Sequence, residues 1–178
     1  MSRFHLVLPA LAALALCACQ QARDAGGATA EAAPRAEADL VARGEYLTRI
    51  GGCNDCHTPG YPESSGTVPK TQWLVGSALG WNGPWGTTYP ANLRLKLQEM
   101  DEAKWMDYSA GLHTRPPMPD FAVRAMNGDD RRAIYRFVRS LGPAGQPAPA
   151  YQPPGQAPKV PYVQWVLPAS PPKAPAAG

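Results

Sequence analysis

The sequence predicts an all-α domain of three to five helices built around one bound group, with a long aromatic-rich loop. Three observations lead there. Apolar residues recur at helical spacing in two stretches, 39–50 and 129–141. The chain shows no alternation of strands with helices. Between them, residues 58–90 lose any period yet carry Trp73, Trp81, Trp85 and Tyr89 among Gly, Pro, Ser and Thr. A loop of that length is uncommon unless a function or a bound group organises it.

The 178 residues leave room for one ordinary domain plus extensions. The first extension is residues 1–18: Met1-Ser-Arg precedes an almost wholly apolar run over 4–16. A short basic start and an apolar core below the ~20 residues of a membrane span predict a secretory signal. Its end resembles the bacterial lipoprotein signal, because Leu16, Cys17 and Ala18 precede Cys19. The resemblance implies a lipid on Cys19, with Gln20 permitting outer-membrane sorting; the alternative is an ordinary cleaved signal ending near Ala18. Residues 19–38, rich in Ala, Gly, Glu and Arg, bury too little apolar surface to offset the entropy of ordering and read as a flexible tether.

The domain is expected over 39–143. Leu40, Val41, Tyr46, Leu47 and Ile50 form the first apolar stripe, with Asp39 placed to cap it and Gly51-Gly52 to end it. Residues 93–110 predict one or two short helices closed by Gly111. Arg115-Pro-Pro-Met118-Pro-Asp-Phe121 cannot be a helix interior, since three prolines remove donors and hold the backbone extended. Asp129-Asp130 then opens an amphipathic helix with Ala133, Ile134, Phe137, Val138 and Leu141 as its apolar stripe, ended by Gly142-Pro143. Residues 144–178 read as a Pro/Ala-rich tail, partly docked at best, with Tyr151, Tyr162 and Trp165 as scattered anchors.

Two of the four cysteines lie in or beside the signal, and the other two stand in Cys53-Asn-Asp-Cys56-His57. Two cysteines three apart on a helical turn project to one side, so both thiols can reach the two vinyl groups of a single haem. His57 then sits where an imidazole nitrogen can bind the iron. A zinc site needs four N or S ligands, and only His5 and His113 remain among the histidines. A thioredoxin-like dithiol expects a βαβ surrounding that this chain lacks. The motif therefore predicts one covalent haem c held by Cys53 and Cys56, with His57 as proximal ligand.

The sixth ligand sets the chemistry, because a thioether raises the reduction potential and closes the iron to small molecules. Met100, Met106, Met118, Met126 and His113 are the candidates. Met118 is preferred, on its proline-stiffened loop; Met100 and Met106 lie in helical patterns where methionine usually fills core.

Gly44-Glu-Tyr-Leu ahead of the cysteine motif, Met118-Pro119, and Ala133-Ile-Tyr-Arg-Phe-Val-Arg-Ser-Leu141 together resemble the class I c-type cytochromes. The loop Gly86-Thr-Thr-Tyr-Pro-Ala-Asn92 is similar to one in the cytochrome subunits of membrane-bound alcohol and sugar dehydrogenases, although this chain continues with Leu93-Arg94 rather than Ile-Thr. The resemblance implies a cytochrome c-like fold whose first and last helices cross at Gly44 against Tyr135. Trp73, Trp81, Trp85 and Tyr89 are expected to shield the haem and bond a propionate, or simply to pack; Arg115 is expected to balance a propionate or stay solvated.

Single-electron transfer is thus the expected function, with no catalysis by this chain itself. The expected setting is the periplasmic side of a bacterial membrane, lipid-anchored, as a monomer or a subunit. The expected partners are a dehydrogenase or a terminal oxidase. A haem enzyme or gas sensor with open iron, and a docked subunit using the tail as an interaction arm, are the alternatives. The net charge of +3, with acids interleaved among the bases, excludes a nucleic-acid binder and permits acidic partners.

Overall fold

A computed structural model describes residues 36–159 and 161–166. The predicted signal over 1–18, Cys19, most of the tether and the last twelve residues lie outside this range. Helix α1 (Glu37–Ile50) starts two residues inside the segment read as tether. Ala36, not Asp39, occupies its N-cap, and Asp39 instead places negative charge in the first turn, where the helix dipole favours it. Gly44, Leu47 and Thr48 are buried, with Leu40 and Val41 packed beside the core. Tyr46 and Ile50 are 51% and 62% exposed, because residues 40, 44, 47 and 48 share one face and 46 and 50 fall on the opposite one.

Helix α2 (Cys53–His57) follows at once through Gly52, whose φ of 68° lets the chain reverse in the left-handed region. Residues 93–110 form two helices, α3 (Leu93–Lys96) and α4 (Glu102–Ala110), joined by a 3-10 turn at Leu97–Glu99. Helix α5 (Asp120–Ala125) leaves the proline-rich loop, and α6 (Gly128–Ser140) closes the bundle. The α6 N-cap is Asn127, whose side chain accepts from the Asp130 amide at 2.8 Å.

Helix α6 lies against α1 with Ala133, Ile134, Phe137 and Val138 buried, as its stripe predicts. A Cβ on Gly44 would stand 2.0 Å from the Ala133 carbonyl oxygen and 2.6 Å from the Phe137 Cβ. The crossing therefore falls on Ala133 and Phe137, not on Tyr135. Tyr135 faces α4 instead, stacked on Trp105 at 6.5 Å with its hydroxyl donating to the Met100 carbonyl at 3.1 Å. Trp73 joins the same core, edge-on to Tyr61 and Phe137.

The all-α expectation needs correction. Six α-helices are found among the described residues, together with a three-stranded sheet. Within the predicted long loop, β1 (Gly80–Gly83) and β2 (Gly86–Thr88) form a hairpin turning at Pro84-Trp85, with Trp81 opposite Thr88 and Gly83 opposite Gly86. From the tail, β3 (Tyr162–Gln164) pairs parallel with β1, Trp81 facing Val163. Strands of three and four residues are too short to display alternation. Only the turn residues Asn82-Gly83-Pro84 signal the hairpin in the sequence.

Arg94 is a further structural element that periodicity cannot reveal. It is 5% exposed and among the described residues has no carboxylate partner; its guanidinium donates to the Gly142 carbonyl at 2.6 Å, the Thr71 carbonyl at 2.8 Å and the Leu141 carbonyl. A cation at the C-terminal end of α6 satisfies carbonyls that no intrahelical amide reaches. Burial lowers its pKa from the usual arginine value without making it neutral.

Two outcomes follow for stability. Gly44→Ala places a methyl against backbone and should cost about 3 kcal/mol in denaturant unfolding. Arg94→Lys keeps the charge but loses the three-pronged fork, and should cost about 2 kcal/mol in the same measurement.

Candidate haem-binding site

The five residues of α2 bring Cys53, Cys56 and His57 onto one turn. Both thiols are free. Burial pushes the Cys53 thiol up to about 11 and raises Cys56 as well. Both stay neutral at neutral pH, the opposite of the lowered pKa that makes a dithiol reactive. Among the described residues, no three His, Cys, Asp or Glu side chains gather into a set able to hold a metal ion by themselves.

His57 is 8% exposed, and its Nδ1 lies 2.7 Å from the Ala91 carbonyl oxygen. A carbonyl only accepts, so Nδ1 carries the proton and Nε2 keeps its lone pair. Burial lowers the His57 pKa, opposed in part by the Ala91 bond, and the ring is neutral at pH 7. A neutral imidazole whose second nitrogen donates to a fixed carbonyl is the arrangement that orients a histidine for a metal.

The chain around Gly76 creates this arrangement. The Gly76 amide donates to the His57 carbonyl at 2.9 Å, the Ser77 amide to the Pro90 carbonyl at 3.0 Å, and the Leu93 amide to the Leu74 carbonyl at 3.0 Å. Thr58 Oγ1 donates to Asn54 Oδ1 at 2.7 Å while accepting from the Leu74 amide at 2.8 Å. Segment 74–77 is thus stitched to α2 on one side and to residues 90–93 on the other. With φ of 78°, and a Cβ position only 2.7 Å from the Asn92 nitrogen, Gly76 tolerates no side chain. Asn92 caps α3 through Oδ1 and donates from Nδ2 to the Ala144 and Gln146 carbonyls at 2.7 and 3.2 Å.

Ala91, Gly76 and Asn92 are site residues that sequence reasoning passes over. Ala91 acts through its backbone oxygen, which no side-chain identity reports. Both Ala91 and Asn92 do fall in the loop 86–92 that carries the family resemblance.

Met118 is half-buried on the loop 112–119 between α4 and α5. That loop is tied to β2 by Thr88 Oγ1, which donates to the Pro116 carbonyl at 2.8 Å. Met100 is 6% exposed and Met106 is partly buried, both packed in or against the core. A side chain at Gly51 would meet Met126 Cε at 3.8 Å and Cys53 Sγ at 3.9 Å, so Met126 stands beside the cysteine turn. His113 is exposed, its Nδ1 3.3 Å from an Arg124 nitrogen.

The aromatic loop differs from expectation in detail. The Trp73 indole donates to the Val68 carbonyl at 2.8 Å, Trp85 to the Trp81 carbonyl at 3.3 Å, and the Tyr89 hydroxyl to Gln152 Oε1 at 2.9 Å. These polar groups are engaged by protein. The Trp81 indole is the one of the four that meets no protein acceptor among the described residues. Arg115 is exposed, and its guanidinium lies 3.8 Å over the Tyr151 ring.

Two free thiols on one turn and a buried, tautomer-fixed imidazole fit a covalently held haem. No helix among the described residues is long and apolar enough to cross a membrane.

Asp120 anchors the Met118 loop from its far end. Its Oδ2 accepts from the Thr114 amide at 2.6 Å, Oδ1 pairs with Arg124 at 2.9 Å, and its own amide donates to the Met118 carbonyl at 2.9 Å. The Thr114 amide first, and Arg124 with it, hold the Asp120 carboxyl below its usual pKa. A depressed folded-state pKa stabilises above the unfolded value and loses that contribution as pH falls through the folded value. The thermal-stability gap between the parent and Asp120→Asn should therefore be fullest at neutral pH and close progressively under acid below the ordinary aspartate range.

No family model and no solved structure matches the chain. It is similar to the cytochrome c subunit of quinone alcohol dehydrogenase from Gluconacetobacter polyoxogenes, 29% identical over 145 residues. The corresponding subunit from Komagataeibacter europaeus matches at the same identity and length. The alignments cover 80% of this chain and 28% of each relative, so the chain spans under a third of the curated relatives it matches. The chain is thus distantly similar to two proteins named as cytochrome c subunits of quinone alcohol dehydrogenase.

Proposed function

We propose that this chain is a single-haem electron carrier in which Cys53 and Cys56 hold haem c through thioether bonds, with His57 and Met118 as axial ligands. The observation that supports it most is the His57 imidazole: buried, neutral, bonded through Nδ1 to Ala91, and on the same helical turn as two free thiols. When bound, the group supplies reversible one-electron chemistry at iron, at a potential tuned by its axial ligands and burial.

The chain's own part is to keep the site unchanged between the two oxidation states. Ala91 holds the His57 ring in one tautomer and orientation. The prolines on either side of Met118 stiffen the loop that would present its sulfur, and Asp120 pins that loop at its end. The carrier performs no substrate chemistry of its own.

The signal over 1–18 and a lipid on Cys19 would place the protein on the periplasmic side of a bacterial membrane, with the tether allowing short-range movement. A dehydrogenase resembling the one its relatives serve is the proposed electron donor, and a terminal oxidase an acceptor of the same electrons. The one Cys53–His57 motif in the sequence supports a single haem.

Optical spectra of the full chain matured with covalent haem, before and after denaturation, test the reading. A sulfur-to-iron charge-transfer band in the oxidised protein, lost in Met118→Ala together with a marked fall in reduction potential, is expected. Covalent haem without that band in the parent would overturn Met118 as ligand; absence of covalent haem would overturn the carrier.

A further inference from the structure

The tail residues do more than cover the hairpin. The Thr87 amide donates to the Gln152 carbonyl at 2.8 Å and the Gln152 amide returns a bond to the Thr87 carbonyl at 3.0 Å, fixing the tail beside β2. Gln152 Oε1 also accepts from the Tyr89 hydroxyl at 2.9 Å and the Lys159 amide at 3.1 Å. Further on, Trp165 packs edge-on to Trp85 at 5.9 Å beyond β3. Directly before Gln152, Tyr151 donates its hydroxyl to the Trp85 carbonyl at 2.9 Å and lays its ring under the Arg115 guanidinium at 3.8 Å.

Arg115 is three residues before Met118, on a segment where Pro116, Pro117 and Pro119 have no amide to give. Its remaining tether to the hairpin is the bond from Thr88 to the Pro116 carbonyl. A loop this poor in backbone bonds is held by side-chain contacts, and a cation over an aromatic face is a directional one.

We propose that Tyr151, through its stack with Arg115, is a positioning residue for the Met118 loop, so that the tail sets how firmly the sixth ligand stays on the iron. The inference rests on the ligation proposed above. Tyr151 touches neither ligand; it acts by limiting how far the loop swings away.

The test is displacement of the sixth ligand by added imidazole in the full-length, haem-loaded protein. The readout is loss of the sulfur-to-iron band, together with amide exchange over 112–119. Arg115→Gln and Tyr151→Leu should each lower the imidazole concentration at half-displacement about three- to fivefold, the scale of one cation–π contact. The double variant should go no further than either single one, and Tyr151→Phe, which keeps the ring, should stay near the parent. Arg115 is exposed, so Arg115→Gln keeps the test valid even where Tyr151→Leu folds poorly. Variants indistinguishable from the parent, or single effects that multiply in the double variant, would overturn the inference alone. A parent protein without the band would overturn the His57/Met118 ligation beneath it.

Discussion

Helices α1 and α6 approach so closely at Gly44 that a single methyl would collide with the Ala133 carbonyl. Most of the remaining structure depends on this crossing. It buries one face of α6 against α1 and leaves Tyr135 free to turn toward α4, where it meets Trp105 and the Met100 carbonyl. Helix α1 ends at Ile50, and α2 begins at Cys53 directly after Gly51 and Gly52. The cysteine–histidine turn is thus carried on the end of the most tightly packed element, and its position is inherited from backbone contact rather than from flexible side chains.

Around that frame the chain solves a second problem, the aiming of one imidazole. Segment 74–77 runs between α2 and residues 90–93, bonded to both, and so delivers the Ala91 carbonyl to His57 Nδ1. Each bond in the series is modest alone, about 1 kcal/mol net. Together they hold the ring in place: Thr58 Oγ1 links Asn54 Oδ1 to the Leu74 amide, and the Gly76 amide bonds the His57 carbonyl. Arg94 plays the corresponding role at the far end, bonding the carbonyls that end α6 to the segment at Thr71.

The sheet and tail form a separate layer beside the Met118 loop. Hairpin, tail and proline loop meet through Thr88, Tyr151, Gln152 and Arg115, residues drawn from three distant stretches of chain. Exposed ion pairs such as Lys96–Glu99 contribute little beside these contacts, because water screens their charges.

The amino-acid sequence by itself determined that helices lie over 39–50, 93–110 and 129–141, since apolar spacing and terminating glycines are local properties; their first turns and caps came from the structure. It also placed Cys53, Cys56 and His57 on one helical turn, because the three stand within five residues of each other. Tertiary structure alone decided the rest. The hairpin and its third strand were illegible because their strands are too short for a period and β3 pairs with a partner some eighty residues earlier. Ala91 acts through a backbone oxygen common to every residue, and Arg94 looks like any surface cation until three carbonyls surround it. The sequence also left Gly44 with the wrong neighbour, since Tyr135 lies between Ala133 and Phe137 and only the rotation of α6 selects which side chains face the glycine. Local patterns specify elements; the partners of each element depend on long-range packing, which no window of sequence contains.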